Sequence, residues 1–468
     1  MKEFDIVVIG AGPGGYTAAI RASQLGFKTA IIEKDKLGGV CLNWGCIPTK
    51  ALLKSAELMN TFSHSKEFGI TAGDIKFNFP QIIERSRKVA FASEKGVQYL
   101  MKKNNIEVIN GKGVFNPDKS IDVLDSDGNS VEKIISQHII IATGARPRKL
   151  GNVNFDDIKI LSSTGALLLK DIPKSITIVG SGAIGIEFAY FYNAFGADVT
   201  IIEMLPAILP IEDKEISDVV SREFRKKGIK IHTGTKTESV EISNNNVCTT
   251  VSGKLEDTIV SDAVLIAVGI QANIDNLGIE NIGIETFKNG IKVNENYQTS
   301  VAGIYAIGDV ALINPEGKPW LAHTASAEAI NCIEKIKGLH NANIDYKNIP
   351  GCTYCQPQVA SIGYTEEEVK KLNIKYKVGK FPFTANGKAR AIGESAGLVK
   401  LIFDEEYGEL LGAHIVGPEA TELISELVYA KTNEGTWKSI LHSIHPHPSL
   451  SEAIMESAGV ALSEAINI

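Results

Sequence analysis

Residues 4–15 read FDIVVIGAGPGG, and this stretch indicates the fold. The apolar, β-branched run Phe4–Ile9 is typical of a buried strand, and a Gly-x-Gly-x-x-Gly loop follows it at once. Tyr16–Gln24 then has the pattern of a helix, and a second apolar run, Thr29–Ile32, ends at Glu33. Spaced glycines alone are weak evidence. Strand, loop, helix, strand and acid together predict a dinucleotide-binding unit, in which the glycines admit a pyrophosphate and the carboxylate accepts a ribose hydroxyl.

The same pattern occurs again in the middle of the chain. The strand Ser175–Val179 precedes the loop Gly180–Gly185 (GSGAIG), and the strand Val199–Ile202 ends at Glu203. In both copies the first motif glycine and the acid are 23 residues apart, which indicates a duplicated module rather than two chance matches. The sequence therefore predicts two dinucleotide sites.

Each copy is closed by a further apolar strand that ends in glycine. These runs are Ile139–Gly144 and Val264–Gly269, and we expect both closing glycines to lie beside bound nucleotide. The first copy carries about 45 more residues between its first glycine and its closing glycine. That extra material includes a helical pattern over Phe79–Lys103 and a close pair of cysteines.

The cysteine pair lies in Cys41–Lys50, which reads CLNWGCIPTK. The chain has only 6 cysteines among 468 residues. In such a chain a close pair is more often catalytic or metal-binding than a structural disulfide. The alternative is that both cysteines are buried, reduced thiols without a function. In a regular helix, residues five apart have α-carbons about 8.5 Å apart, beyond the ~7 Å limit of an unstrained disulfide. A bridge here therefore needs a distorted backbone, which Gly45 can supply.

Pro48 suits only the first turn of a helix, so we expect a regular helix to begin near it. Cys46 then lies close to a helix N-terminus, where the dipole and the unpaired N–H groups favour a thiolate.

Composition limits the class of protein. The net charge of −7 gives no reason to expect nucleic-acid binding, and no run of 18 or more apolar residues is present. The first residues lack the character of a signal or transit peptide. We therefore expect a cytoplasmic protein, or one of the mitochondrial matrix if the chain is a processed eukaryotic one.

The length of the chain predicts two to four domains. The strand-like run Gly303–Asp309 ends in a Gly-Asp pair whose carboxylate suits a sugar-like hydroxyl, although a plain turn aspartate is the alternative. After Pro350 the runs Gln358–Gly363, Gly397–Phe403 and Glu409–Val416 read as antiparallel strands, and two helices follow, near Glu419–Ala430 and Leu450–Glu464. We place the domains at residues 1–150, 151–270, 271–346 and 347–468.

With these features assembled, the whole chain resembles the pyridine nucleotide-disulfide oxidoreductases. The motifs that carry the resemblance are GGVCLNWGCIPTK (38–50), IIATGARP (140–147), GIYAIGDV (303–310) and HPHPSLSE (445–452). The resemblance implies an α/β fold with two Rossmann-like domains, for FAD and NAD, and a C-terminal α+β dimerisation domain. One FAD would be held non-covalently in each subunit of a homodimer, with its site completed by residues 271–346.

The resemblance also implies roles for the reacting residues. Cys41 matches the cysteine that exchanges with substrate, and Cys46 the one that faces the flavin. Lys50 matches a lysine near the flavin's reactive nitrogen, which pairs with Glu187. His447, held by Glu452, matches an acid–base histidine that reaches the cysteines of the other subunit.

We predict the remaining cofactor contacts from the motifs and the resemblance together. The positions assigned to FAD are Gly10, Gly12, Gly14, Gly15, Glu33, Lys34, Gly39, Lys50, Gly113, Thr143, Gly144, Asp309 and Ala322. The positions assigned to the nicotinamide cofactor are Gly180, Gly182, Ala183, Ile184, Gly185, Glu187, Glu203 and Gly269.

The choice of nicotinamide cofactor depends on Glu203. Its carboxylate suits a 2′-hydroxyl and repels a 2′-phosphate, and Met204 stands where an NADP site would be expected to offer arginine. NAD is therefore expected. One departure from the family is that residues 269–273, GIQAN, lack the arginine and proline that often follow this glycine.

Two other groups of residues contain side chains that can bind metal ions, but we expect no metal site at either. His445 and His447 lack convincing zinc-ligand spacing, and a surface histidine between prolines is the plain alternative for His447. Cys352 and Cys355 have no partner pair or suitably spaced histidines, so we interpret them as strand cysteines rather than a metal or regulatory redox site.

The resemblance implies the NAD-dependent oxidation of dihydrolipoyl groups, carried on proteins of 2-oxoacid dehydrogenase or glycine-cleavage complexes, to the lipoyl disulfide. The alternative enzyme is an NAD(P)H-dependent reductase of another small disulfide. A flavoprotein that serves mainly as a docked subunit or electron sensor is a third possibility, which the presence of Cys41, Cys46 and His447 disfavours.

Overall fold

The computed structural model describes residues 1–71, 73–313, 318–339 and 342–468. The chain divides into two compact units. The first is formed by segments 1–51, 81–148 and 269–346, and the second by segments 52–80, 149–268 and 347–468.

In the described ranges the strands are, in chain order, β1 (Lys2–Ile9), β2 (Thr29–Glu33), β3 (Glu107–Asn110), β4 (Lys112–Phe115), β5 (Ile121–Leu124), β6 (Ser130–Ile141), β7 (Ala145–Pro147), β8 (Ile160–Leu161), β9 (Ser175–Val179), β10 (Asp198–Glu203), β11 (Lys230–Thr233), β12 (Thr235–Ser243), β13 (Asn246–Gly253), β14 (Asp257–Ser261), β15 (Ala263–Ile266), β16 (Ile270–Ala272), β17 (Thr286–Phe287), β18 (Gly290–Lys292), β19 (Ile304–Ala306), β20 (Ala311–Leu312), β21 (Gly351–Thr353), β22 (Gln358–Gly363), β23 (Tyr376–Pro382), β24 (Leu398–Asp404) and β25 (Leu410–Gly417).

The α-helices of the same ranges are α1 (Pro13–Gln24), α2 (Gly39–Trp44), α3 (Cys46–Ser63), α4 (Phe79–Lys103), α5 (Ser163–Ala166), α6 (Ala183–Ala194), α7 (Lys214–Lys226), α8 (Ala322–Ile336), α9 (Glu366–Lys371), α10 (Gly387–Ala391), α11 (Ala420–Thr432), α12 (Trp437–Leu441) and α13 (Glu452–Leu462). Short 3₁₀ turns occupy Ser65–Phe68, Ile279–Ile282, Gly308–Val310, Tyr346–Asn348 and Phe383–Ala385.

The first unit is built on a sheet whose order is β3-β2-β1-β6-β5-β4, with β19 paired to the end of β6. The strands β3, β2, β1, β6 and β19 are mutually parallel, β5 runs antiparallel to β6, and β4 runs antiparallel to β5. Alternate residues of β1 enter two different apolar clusters, Ile6 and Val8 in one and Val7 and Ile9 in the other. The strand is therefore covered on both faces, which is why its sequence is an unbroken apolar run.

The second unit contains a parallel sheet of order β11-β10-β9-β15-β8. Its first four strands repeat the order of β3-β2-β1-β6, so the predicted duplication is confirmed in the topology. An antiparallel meander, β12-β13-β14, belongs to the same unit.

The glycine loops of the two copies have the same backbone. Gly10 and Gly180 have φ of +101° and +98°, and a Cβ at either would overlap the carbonyl oxygen of the closing strand. A Cβ at Gly15 or Gly185 would likewise overlap the carbonyl oxygen of the first loop glycine. Only glycine fits these four positions, because the left-handed turn and the close contact between helix and strand leave no room for a side chain.

The C-terminal segment of the second unit forms an antiparallel sheet of order β21-β22-β25-β24-β23. Helices α11 and α13 pack against it. The three predicted strands and two predicted helices of this region are confirmed, and β21 and β23 were not predicted.

A buried ionic cluster joins α7 to this sheet within the second unit. Asp213 caps the N-terminus of α7, and the ammonium of Lys400 on β24 lies 2.9 Å from both of its carboxylate oxygens. Lys400 also contacts Glu215 at 2.9 Å and Glu366 at 2.7 Å. Because the side chains of Lys400 and Asp213 are each only 2% exposed, every buried charge in the cluster depends on its partners.

Candidate active site

The redox segment is two helices separated by one residue. Helix α2 ends at Trp44, Gly45 adopts φ −148° and ψ −111°, and α3 begins at Cys46. The break brings the α-carbons of Cys41 and Cys46 to 4.7 Å, and their sulfurs form a disulfide. A Cβ on Gly45 would lie 3.2 Å from the carbonyl oxygen of Val40, so the missing side chain permits this close approach.

The expected backbone distortion at Gly45 is therefore present. The expected position of Cys46 near a helix N-terminus is also confirmed, although α3 begins two residues before Pro48. Lys50 lies four residues after Cys46, on the same face of α3. Thr49 donates its hydroxyl to the carbonyl of Gly45 at 2.7 Å, which fixes the first turn of the helix.

The redox segment lies directly against the first glycine loop. The N–H of Gly38 donates to the carbonyl of Ala11 at 2.8 Å, and a Cβ on Gly39 would overlap the α-carbon of Gly12. The structure thus brings the disulfide-bearing helix and the predicted dinucleotide cradle together. This contact accounts for Gly39 among the predicted site residues.

Both acids that end the second strand of a copy are held in the same way. Glu33 accepts the N–H of Ala11 at 2.7 Å and that of Asp35 at 2.9 Å. Glu203 accepts the N–H of Ser181 at 2.9 Å and that of Leu205 at 2.8 Å. Each carboxylate is thereby fixed at the mouth of its glycine loop and keeps lone pairs for a ribose hydroxyl. Lys34, the next residue after Glu33, is exposed.

Asp309 occupies a short turn after β19, next to a buried ion pair. Burial raises the pKa of its carboxyl to about 6, and nearby Lys318 only partly opposes this. Lys318 and Glu328 pair with side chains 2% and 0% exposed, and Glu328 accepts the N–H of Gly308 at 2.7 Å. No donor in the described part of the chain hydrogen-bonds to the Asp309 carboxylate, so it has free acceptor capacity for a sugar-like hydroxyl.

The closing strand of the first copy is tied to the segment that follows Gly269. Thr143 donates its hydroxyl to the carbonyl of Asn273 at 2.7 Å, and the Asn273 amide donates back to the Thr143 carbonyl at 2.9 Å. Arg146 donates to the Asn273 side chain at 3.0 Å, and the Asn273 N–H donates to Gly144 at 2.9 Å. Asn273 thus supports the backbone here, in a segment that lacks the family's usual arginine and proline.

Two further predicted positions have simple local surroundings. Gly113 lies in β4, where a Cβ would meet the side chains of Ile9, Ile121 and Ile32 at 3.2–3.5 Å. Ala322 is the first residue of α8. Core packing alone thus accounts for the glycine at position 113.

In the second copy, the helix after the loop begins at Ala183, with Ile184 partly exposed at its N-terminus. Glu187 on the same helix is buried, and its carboxylate accepts the N–H of Tyr354 at 3.0 Å. The pairing of Glu187 with Lys50 stays a prediction.

His447 and Glu452 form a dyad on the surface. The Nδ1 of His447 lies 2.8 Å from Oε1 of Glu452, while the histidine side chain is 81% exposed. The other oxygen of Glu452 accepts the N–H of Ser449 at 2.8 Å. Although burial acts to raise the pKa of Glu452, the hydrogen bonds from Ser449 and His447 lower it. The carboxylate therefore orients the ring and leaves Nε2 directed to solvent.

Two family models match this chain. Residues 4–329 match the pyridine nucleotide-disulphide oxidoreductase model, and residues 349–458 match the dimerisation domain of the same proteins. The chain belongs to the pyridine nucleotide-disulphide oxidoreductase family. The sequence-based family resemblance and the predicted fold class are thereby confirmed.

Curated members of the family are similar over the full length of the chain. A Rhizobium etli protein named dihydrolipoyl dehydrogenase is 46% identical, covering 100% of this chain and 99% of that protein. Proteins with the same name from Chlorobaculum tepidum and Bacillus subtilis are 44% and 42% identical, covering 98% and 99% of this chain and 97% and 99% of theirs.

Solved structures of the family agree with the fold. The Mycobacterium tuberculosis protein LpdA superposes with a TM-score of 0.89 at 26% identity, covering 98% of this chain and 99% of that one. The Cu(II) complex of the HOCl-induced flavoprotein disulfide reductase RclA from Escherichia coli superposes with a TM-score of 0.87 at 27% identity, covering 98% and 99%.

The second cysteine pair differs from its prediction. Cys352 lies in β21, but Cys355 follows that strand and is buried in a loop, where its thiol donates to the carbonyl of Pro357. The interpretation as strand cysteines is thus right for Cys352 and wrong for Cys355. Burial raises the pKa of the Cys355 thiol to about 12, which keeps it protonated.

The paired histidine positions also have different surroundings. His445 is held by Glu426 at 2.7 Å, and its side chain is only 6% exposed. Among the described residues, no group of three or more histidine, cysteine or acidic side chains is arranged to hold a metal. No described helix is both long and apolar enough to cross a membrane.

Sequence reasoning missed the residues that hold the break in the redox segment. Arg87, on α4, donates to the carbonyl of Asn43 at 2.5 Å and lies 4.4 Å from the centre of the Trp44 ring. Its 44-residue separation from Asn43 gives no local signal for this contact. Lys318 and Glu328 were also missed, because a lysine and a glutamate ten residues apart show no pattern that marks a buried pair.

Proposed function

We propose that this chain is a flavoenzyme that oxidises protein-bound dihydrolipoyl groups to the lipoyl disulfide and reduces NAD. The observation that carries the proposal is the Cys41–Cys46 disulfide, formed across a helix break that lies against the first glycine loop. The full-length similarity to proteins named dihydrolipoyl dehydrogenase supports this choice of substrate.

The residues of the first copy fit FAD. Gly10 and Gly15 permit the tight loop at the N-terminus of α1, Glu33 is fixed at the loop mouth, and Asp309 offers a partly buried carboxylate with unused acceptor capacity. These residues would hold the diphosphate, the ribose and the ribityl chain respectively. The chemistry that FAD supplies when bound is two-electron transfer between the dithiol and the nicotinamide.

The chain's own residues handle the sulfur chemistry. A thiolate of the substrate attacks Cys41, the Cys41–Cys46 bond breaks, and Cys46 leaves as a thiolate. The second substrate thiol then attacks the mixed disulfide, which releases the lipoyl disulfide and leaves the chain as a dithiol. The substrate thus loses two electrons and two protons, and the bridge gains the electron pair.

We assign the proton acceptor to His447 of the second subunit. A substrate thiol with a pKa near 8.5 is only a few per cent ionised at pH 7, so a neutral imidazole beside it raises the thiolate fraction. Glu452 keeps the proton on Nδ1, which leaves Nε2 as the acceptor. The match of residues 349–458 to a dimerisation domain supports a homodimer.

The second copy is proposed to bind NAD through Gly180–Gly185 and Glu203. The fixed carboxylate of Glu203 suits the 2′-hydroxyl and disfavours a 2′-phosphate. Lys50 and Glu187 are proposed to act as a pair near the flavin.

The partners proposed are the lipoyl-bearing proteins of 2-oxoacid dehydrogenase or glycine-cleavage complexes. Bacterial relatives of similar length support a cytoplasmic location. The division into domains at residues 150, 270 and 346 is retained as part of the proposal.

The test is an assay of the purified, FAD-loaded protein with dihydrolipoamide and NAD. We expect NADH formation that is lost in Cys41→Ser, with NADP a poor substitute for NAD. A second candidate function is the reduction of another small disulfide by NADH or NADPH, which the similarity to a flavoprotein disulfide reductase supports. Turnover with glutathione disulfide and none with lipoamide would favour that candidate and refute the proposal.

A further inference from the structure

Three groups converge on the helix break between the two cysteines. At the end of α2, where carbonyls lose their intrahelical partners, Arg87 donates to the carbonyl of Asn43 at 2.5 Å. The same guanidinium lies over the Trp44 ring at 4.4 Å, and the Lys36 ammonium lies 5.1 Å from that ring. The indole N–H of Trp44 donates to Asp35 at 3.1 Å. All these contacts fall on the two residues that immediately precede Gly45.

The contacts matter most when the disulfide is open. While the bridge is closed, the sulfur–sulfur bond itself keeps the α-carbons of Cys41 and Cys46 at 4.7 Å. In the dithiol that restraint is gone, and a continuous helix would place the same atoms about 8.5 Å apart. Nothing covalent then prevents the two helices from merging.

We propose that Arg87 is a positioning residue that clamps Asn43 and Trp44 and so keeps the open dithiol in the geometry of the disulfide. A cation at a helix C-terminus and a cation over an indole ring are both stabilising, and here one side chain provides both. The clamp keeps the two thiols close, which makes ring closure more favourable than it is in a relaxed dithiol.

Removal of the clamp lets the dithiol relax and leaves the disulfide restrained by its own bond. The equilibrium constant for closure should therefore fall, by about tenfold in Arg87→Met. For a two-electron couple that change corresponds to about 30 mV. Trp44→Leu, which removes the other half of the clamp, should shift the equilibrium in the same direction.

The inference rests on the redox disulfide of the proposed function but not on its substrate. The FAD-loaded protein is equilibrated anaerobically with mixtures of reduced and oxidised dithiothreitol, and the Cys41–Cys46 state is read by thiol alkylation and mass spectrometry. In the exchange the two cysteine thiols give two electrons and two protons to oxidised dithiothreitol, so that one sulfur–sulfur bond forms and one breaks. FAD content and circular dichroism establish that each variant is folded.

The chain provides a matched control. Arg85, on the same helix, donates to the carbonyl of Ala51 at 2.9 Å, beyond the ring that the disulfide closes. Arg85→Met should leave the closure equilibrium within twofold of wild type. If Arg87→Met does not accumulate as folded protein, Arg87→Lys and Trp44→Leu carry the same test.

Arg87→Lys separates the clamp from simple charge. It keeps the positive charge but loses the planar group that contacts carbonyl and ring together, so it should shift the equilibrium in the same direction as Arg87→Met. The double variant Arg87→Met/Trp44→Leu should shift it no further than either single change.

Four results would overturn the clamp: no shift in Arg87→Met, wild-type behaviour of Arg87→Lys, an equal shift in Arg85→Met, or additive effects in the double variant. A wild-type bridge that dithiothreitol does not open would instead refute the proposed function itself. The two failures are therefore distinguishable.

Discussion

The replacement of Glu452 by glutamine tests how the histidine dyad works. One carboxylate oxygen lies 2.8 Å from Nδ1 of His447, and the other accepts the N–H of Ser449 at 2.8 Å. The N–H of Ser449 can only donate, so the new amide keeps its oxygen there and turns its NH₂ group toward Nδ1. A donor facing Nδ1 forces the neutral ring to carry its proton on Nε2. The Nε2 atom then cannot accept a proton from the substrate thiol.

The size of the effect follows from the alternative orientation of the amide. If its oxygen faces Nδ1, its NH₂ group faces the N–H of Ser449, and a donor left unpaired costs about 1–3 kcal/mol. The tautomer that carries its proton on Nδ1, and so has Nε2 free to accept one, is then about 5- to 150-fold less populated. We expect kcat/KM for dihydrolipoamide to fall by about that factor in Glu452→Gln.

Two measurements isolate the dyad. Reduction of an artificial acceptor by NADH takes electrons from the flavin and bypasses the disulfide, so Glu452→Gln should leave it unchanged. Glu426→Gln alters the neighbouring pair, in which His445 lies 2.7 Å from the carboxylate, and should leave both reactions near wild type. Wild-type turnover of dihydrolipoamide by Glu452→Gln, or an equal loss in both reactions, would refute this role.

Three further predictions concern stability. Lys400→Met leaves Asp213 buried and unpaired and should lower the free energy of unfolding by about 3–5 kcal/mol in denaturant titration, whereas Lys380→Met, at a side chain 42% exposed, should cost less than ~1 kcal/mol. Although burial acts to raise it, hydrogen bonds from lysines lower the pKa of Glu366 to about 2. Its stabilisation is therefore complete above about pH 4.5 and is lost as the pH falls toward 2, so Glu366→Gln should flatten the stability profile in that window. Burial raises the pKa of Asp309 to about 6, so its ionised form destabilises the folded protein at pH 7. Asp309→Asn should therefore stabilise the FAD-free protein at pH 7 and not at pH 3, and should weaken FAD retention. If the variant and the wild type were equally stable at both pH values, this prediction would be wrong.

The parts of the fold that depend on local sequence were predictable. The apolar strand before Gly10, the positive-φ glycine and the acid at Glu33 are consecutive features of one short segment, and the copy ending at Glu203 repeats them. The break at Gly45 was predictable as well, because a disulfide between residues five apart cannot form on a regular helix.

Contacts between distant segments were not predictable. Arg87 reaches Asn43 from another helix, and Lys400 reaches Asp213 across 187 residues of sequence. No periodicity or spacing marks such pairs, because only the packed structure brings them together. The sequence indicates no role for Trp44, and in the structure it contacts Arg87 and Asp35.

The most direct test of the central claim is an anaerobic titration of the FAD-loaded protein with dihydrolipoamide. Addition of two electrons should open the Cys41–Cys46 bridge and produce a long-wavelength absorption band from the Cys46 thiolate beside the flavin. The band should be absent in Cys46→Ser, and NAD should discharge it in the wild type. Direct bleaching of the flavin with the bridge still closed, in wild type and variant alike, would contradict the account.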